Sequence, residues 1–176
     1  MKTSGLKAAA FADDHNTAIL RQLESDIAAI RLEGKDVPVK LRTHDSLFVP
    51  LAKWSMLLTG NYRAITVDGP RSIRDAVHSD IDQSGAIYNW VNSLARDLGA
   101  NPADQVPFEK YANAALGLLN PSSAARAIFA GAKNIERVDM LVQLIARQRG
   151  LSLDAIDDNI AIVNAKLQAN REASSA

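Results

Sequence analysis

Three stretches of this chain combine residue types that can do chemistry. In FVPLAKWSMLLTGNYRAI (48–65) a tryptophan, Trp54, precedes Met56 and the amide of Asn61 on what reads as one buried helix. In NPSS (120–123) an amide and two hydroxyls flank Pro121. In IERVD (135–139) Glu136, Arg137 and Asp139 fall within about one helical turn. An asparagine followed by proline is ordinary helix punctuation. It is also a way to face serine hydroxyls and free N–H groups toward a carboxylate. An acidic first turn is favoured by the helix dipole, or it lines a cleft.

Other catalytic patterns are absent. The histidines are His15, His44 and His78. His78 stands in HSDID with Asp80 and Asp82, but residues two apart on a helix point in different directions, so the segment reads as a solvated helix start and no metal ligands are assigned. His44 with Asp45 reads as a turn or cap. There is no G-x-S-x-G elbow. No two of the nine glycines are separated by a single residue, which excludes the G-x-G-x-x-G cradle, and no G-x-x-x-x-G-K-[ST] occurs. Those glycines are a steric requirement for backbone approach to a pyrophosphate.

Composition narrows the class. The 176 residues suit one domain of ordinary size. Twenty basic residues balance twenty acidic ones, which leaves no excess to neutralise nucleic-acid phosphates. Cysteine is absent, so thiolate catalysis and sulfur-bound zinc are excluded. No apolar run reaches the roughly 18 residues of a membrane span, and the AAAF patch near the start is shorter than a secretory leader needs. A cytoplasmic location is expected, with neither membrane nor nucleic acid as partner.

The elements that must position these residues are mostly helices. Residues 4–12 read as a short strand or a frayed start. Ile19, Leu20, Leu23, Ile27 and Ile30 recur at steps of three and four, which makes a helix closed by Gly34. VPVKLRT alternates as a short strand, with its proline suggesting an edge. Residues 48–58 form one helix. A long helix runs from a Ser72–Asp75 capping box to Gly99. Residues 107–119 form another, NPSS starts the next, and Asn134 caps one with Val138, Leu141, Val142 and Ile145 as its stripe. Ser152 or Asp154 opens the last, and ANREASSA is expected to fray. The expected fold is mainly α, a helical bundle of six to seven helices around the long helix near 73–98, with one or two short N-terminal strands.

LESDIAAIRLEGKDVPVKLRTHDSLFVPLAKW, NPSSAARAIFAG and IERVDMLVQLIARQRGLSL, in that order and spacing, resemble the C-terminal helical domain of ketopantoate reductases (2-dehydropantoate 2-reductases). That family belongs with helical domains like that of 6-phosphogluconate dehydrogenase, and the likeness covers about residues 12–165. The resemblance implies residues 1–43 as the end of a nucleotide domain and 44–176 as the helical domain. It also implies an NADPH-binding Rossmann domain, whose glycine fingerprint this chain lacks. Trp54 and Leu57 match the family's Trp-x-Lys-Leu, but Met56 holds the position of the lysine that protonates the keto oxygen. Lys53, three residues earlier, is a poor substitute. Gly60 and Ala64 hold the asparagine positions, with Asn61 one residue off. Asn120 and Ser123 match substrate contacts. Asp139 matches a cofactor contact, and Arg137 or Glu136 stands for the glutamate that meets the ribose.

The expectation is a substrate-side or dimerisation module without independent catalysis, which binds no cofactor alone and associates with itself or with a Rossmann-domain chain. Phe48, Leu51 and Met56 are the expected contact surface. The alternatives are an NADP-dependent reductase completed by that second chain, and a plain helical interaction protein.

Overall fold

The computed structural model describes residues 4–44 and 50–174. Phe48 lies outside them. The N-terminal part is a β-α-β unit: β1 (Ser4–Ala9) and β4 (Val39–His44) pair in parallel from Ser4↔Val39 to Ala9↔His44. Parallel neighbours need a long crossover, and α1 (Asp14–Ala29) supplies it. Asp13 caps α1 by accepting from the His15 N–H (2.8 Å). The Glu24 carboxylate ties α1 to β4 by accepting from the Thr43 N–H (2.8 Å). That bond, with the nearby Arg42 charge, holds its pKa below the usual carboxylate value.

Gly34 does not close α1. The helix ends at Ala29, and β2 (Arg31–Leu32) and β3 (Lys35–Asp36) form a small antiparallel hairpin. Its turn residues Glu33 and Gly34 both have positive φ (51° and 75°), the backbone that a tight two-residue hairpin turn requires. The apolar stripe expected on α1 is only partly covered, since Ile19, Leu23 and Ile30 are all about half exposed.

From Pro50 the chain is helical. A 3₁₀ turn (Pro50–Lys53) runs into α2 (Trp54–Met56) and then into a π turn (Leu57–Asn61). The long helix expected near 73–98 is two helices, α3 (Ile73–His78) and α4 (Ile81–Asp97). Asp80 leaves helical dihedrals (φ −147°, ψ 91°) and its carboxylate accepts from the Gln83 N–H (2.9 Å). It thereby ends one helix and caps the next. Ser72 caps α3 as expected, accepting from the Asp75 N–H (2.9 Å). There follow α5 (Phe108–Ala115), α6 (Ser123–Phe129), α7 (Val138–Gln148) and α8 (Asp154–Ala173). Thus the described residues make a mainly helical protein of eight α-helices, with short N-terminal strands in two small sheets.

Two sequence expectations fail at the C-terminal end. Asn134 does not cap α7, which begins at Val138, and Leu141 is about half exposed. The segment expected to fray continues α8 through Ala173. Asn170 Nδ2 donates to the carbonyls of Ile128 (2.8 Å) and Ala132 (2.9 Å), and Arg171 Nε to that of Lys133 (3.1 Å). These polar residues hold the end of α6 and the turn behind it.

Helix α4 serves two apolar cores. Ile87, Val91 and Leu94 enter the larger one with Ile128 of α6, Val142 of α7 and Val163 of α8. Tyr88 enters the smaller, with Val77, Tyr111 and Ala115. Residues 4–44 contribute to neither core.

Candidate functional site

The π turn decides which side chains face the site. The Tyr62 N–H reaches back five residues to the Leu57 carbonyl (3.0 Å), a pattern that inserts a residue into α-helical spacing. Leu57 and Asn61 both line a cavity of about 350 Å³. Met56 does not. It packs partly buried against the Tyr88–Tyr111 core, and its carbonyl accepts from the Tyr111 hydroxyl (3.1 Å). Gly60 faces the same way, where a Cβ would collide with the Tyr111 oxygen. A side chain of asparagine size is therefore excluded at 60, and Asn61 takes the cavity side.

The rest of the lining comes from Ser123, Ala124 and Ala127 of α6 and from Asn134, Ile135 and Glu136 before α7, beside Tyr62. Ser122, 2 % exposed, joins the two halves. Its hydroxyl donates to the Asn61 carbonyl (2.7 Å) and accepts from the Ala125 N–H (3.0 Å), which makes Ser122 the cap of α6. Asn120 is not that cap. It is exposed, outside the lining, and its carbonyl accepts from the Ile73 N–H (3.1 Å).

Of the expected positions, Asn61, Ser123 and Glu136 converge; Asn120 and Asp139 do not. Asp139 is 1 % exposed and paired with Arg137: Nε donates to Oδ1 (2.9 Å) and Nη2 to Oδ2 (2.8 Å). The Asp139 carboxylate thus has its partner within the fold and is not part of the cavity lining. Arg137 precedes α7 in a non-helical conformation (φ −120°, ψ 60°), which lets residues two apart meet. Leu51 and Met56 are partly buried against the two cores, not presented on an open face.

An amide, a hydroxyl and a carboxylate can orient a polar substrate by hydrogen bonds. Among the described residues, no lysine or arginine lines the cavity, and Lys53 is exposed away from it. Tyr62 is no acid for neutral pH. Its hydroxyl donates to the Glu136 carbonyl (2.6 Å) and accepts from the Val138 N–H (2.9 Å). Burial, then the Asp139 charge, push its pKa up to about 12.

The sequence reading puts the cap of α6 at Asn120 rather than Ser122, and gives Tyr62 no role, because a tyrosine bonded only to main chain leaves no spacing signal. His78 was expected at a solvated helix start. It ends α3 half-buried, its Nε2 on the Ala112 carbonyl (2.9 Å). Among the described residues, no group of three or more His, Cys, Asp or Glu is placed to hold a metal, and no helix is long and apolar enough to cross a membrane.

Fold and site together define a mainly helical protein with a parallel strand pair on its N-terminal side and a cavity of mixed polar and apolar lining between the π turn and α6. Compared with known protein families, curated proteins and solved structures, the chain matches none.

Proposed function

We propose that this chain is the substrate-side module of a ketopantoate reductase-like oxidoreductase, built on a helical arrangement of the 6-phosphogluconate dehydrogenase type, without reductase activity of its own. The observation that carries the reading is the convergence of Asn61, Ser123 and Glu136 on one cavity, although 74 residues of chain lie between the first and the last. Asn61 and Ser123 hold the keto acid by hydrogen bonds. Met56, at the position of the family's lysine, lies outside the cavity lining, and a thioether neither donates a proton nor stabilises an alkoxide.

In this reading the chain meets NADP only together with a nucleotide-binding partner. Glu136 is the one expected cofactor residue that reaches the cavity, since the Asp139 carboxylate is engaged by Arg137. No reaction step is assigned to the chain alone.

A second reading, a reductase completed by a separate Rossmann chain, is favoured by the N-terminal unit. Parallel sheets are normally covered on both faces and continued by further strands. Here, among the described residues, β1 and β4 pair only with each other, and Leu6, Phe11, Ile19, Leu23, Ile30 and Leu32 lie about half exposed or more. Such a surface suits a partner that extends the sheet. The purified chain, incubated with NADPH and ketopantoate, is expected to oxidise no NADPH above the blank. Turnover by this chain alone contradicts the first reading, and turnover only after addition of a nucleotide-binding chain favours the second.

A further inference from the structure

On the other side of the Tyr62 segment lies a second cavity of about 300 Å³, between the 65–70 turn, the first turn of α4 and α8. Two arginines line it, Arg63 and Arg71. Arg63 is 7 % exposed. Its donors reach neutral acceptors: Nη1 the Ser84 hydroxyl (2.5 Å) and, at the limit, the Thr59 carbonyl (3.5 Å), and Nη2 the Gln83 Oε1 (2.7 Å). Arg71 Nε donates to the Arg63 carbonyl (2.8 Å) and Nη1 to the Ser79 hydroxyl (3.2 Å). Among the described residues, neither arginine forms an ion pair with a carboxylate.

A charge withdrawn from water without a counter-ion is unfavourable by several kcal/mol. Here two of like sign share one cavity. Desolvation lowers the pKa of both, and the Arg71 charge lowers that of Arg63 further. The nearest carboxylates relieve this only at a distance. Asp80 acts on Arg63 and Asp75 on Arg71 through space, and the exposed Asp68 and Asp158 stand on the cavity wall. Asp75 is itself bonded to Arg74 (3.1 Å).

We propose that this cavity binds a small metabolite carrying one phosphate group, with the phosphate between Arg63 and Arg71. Asp68 and Asp158 offset the two guanidinium charges in sum but form no ion pair with either, and three phosphate oxygens reach two guanidinium groups more fully than the two oxygens of a carboxylate. Guanidinium N–H forks match phosphate oxygens in geometry. Ile65, Val67, Ala155 and Ile162 give the body of the ligand an apolar wall, and Asn159 a polar one. Asp68 and Asp158, on the same wall, oppose any anion there and keep its affinity modest. The site is separate from the Asn61–Ser123 cavity and stands whether or not that one binds a keto acid.

The test is a calorimetric titration of inorganic phosphate into the whole chain at neutral pH and constant ionic strength, with acetate and chloride as parallel arms. Saturable phosphate binding is expected, with acetate far weaker and chloride silent. Arg71→Gln is expected to weaken phosphate binding about ten- to a hundred-fold, the value of a charged hydrogen-bonding group. Asp158→Asn is expected to tighten it about twofold, a gain no merely structural role of Asp158 produces. No saturable phosphate binding, acetate binding as tight as phosphate, or unchanged affinity in Arg71→Gln each overturns the proposal. If Arg71→Gln does not fold, Asp158→Asn decides, and unchanged or weaker binding in it overturns the site.

Discussion

The hydroxyl of Tyr111 occupies the space where a Cβ on Gly60 would stand, and from there it donates to the Met56 carbonyl (3.1 Å). One contact thus fixes both the residue type at 60 and the direction of the turn that carries Asn61.

Gly60→Ala tests this directly. In an unobstructed helix alanine is favoured over glycine by about 0.5–1 kcal/mol. Here the collision outweighs that gain, and a net destabilisation of about 1–3 kcal/mol is expected in denaturant unfolding. Removal of the hydroxyl in a Gly60→Ala/Tyr111→Phe double variant recovers part of it. The recovery is partial because the Ile73 side chain also stands close, at 3.0 Å.

The tyrosines predict the alkaline limit of stability. All three, Tyr62, Tyr88 and Tyr111, have pKa values raised above 10, burial being the largest cause for each. The unfolded chain releases the Tyr62 proton near the ordinary 10.0, the folded one at about 12. The contribution of Tyr62 is therefore complete below the first value and lost as pH rises through the second. Two units correspond to about 2–3 kcal/mol. Tyrosinate absorbance is expected to appear together with unfolding, and Tyr62→Phe to flatten the alkaline loss of stability.

The Arg137–Asp139 pair is a structural clamp. The side chains are 17 % and 2 % exposed. Arg137→Met leaves a buried carboxylate without its partner, at a cost of about 3–5 kcal/mol. The double variant Arg137→Met/Asp139→Leu is expected to be more stable than the single one, read as midpoints of thermal unfolding.

Ser122→Ala removes a helix cap and the bond to the Asn61 carbonyl together. The expected loss is about 2 kcal/mol, near 1 for each. Asn61→Ala, which keeps that carbonyl, is expected to leave stability nearly unchanged.

Periodicity made the helices of the larger core legible, and alternation made β4 legible. The hairpin of β2 and β3 was not, because two-residue strands carry no period. The break before α4 was written in Asp80, but HSDID reads equally well as the side of a longer helix. The π turn has no residue code. It is accompanied by the Tyr111 contact from a distant helix, which no local pattern around Asn61 announces. Asp139 was legible as an acidic first turn but not as half of an ion pair. Residues two apart meet only because Arg137 leaves helical geometry. Arg63 and Arg71 were silent, since burial of a cation is a property of the assembled fold.

The central claim is that the cavity of Asn61 and Ser123 receives a keto acid. Calorimetric titration of ketopantoate into the purified chain tests it most directly, with Asn61→Ala as the comparison. Saturable binding weakened about tenfold in the variant is expected for loss of a substrate hydrogen bond. Absence of binding, or equal affinity in parent and variant, contradicts the account.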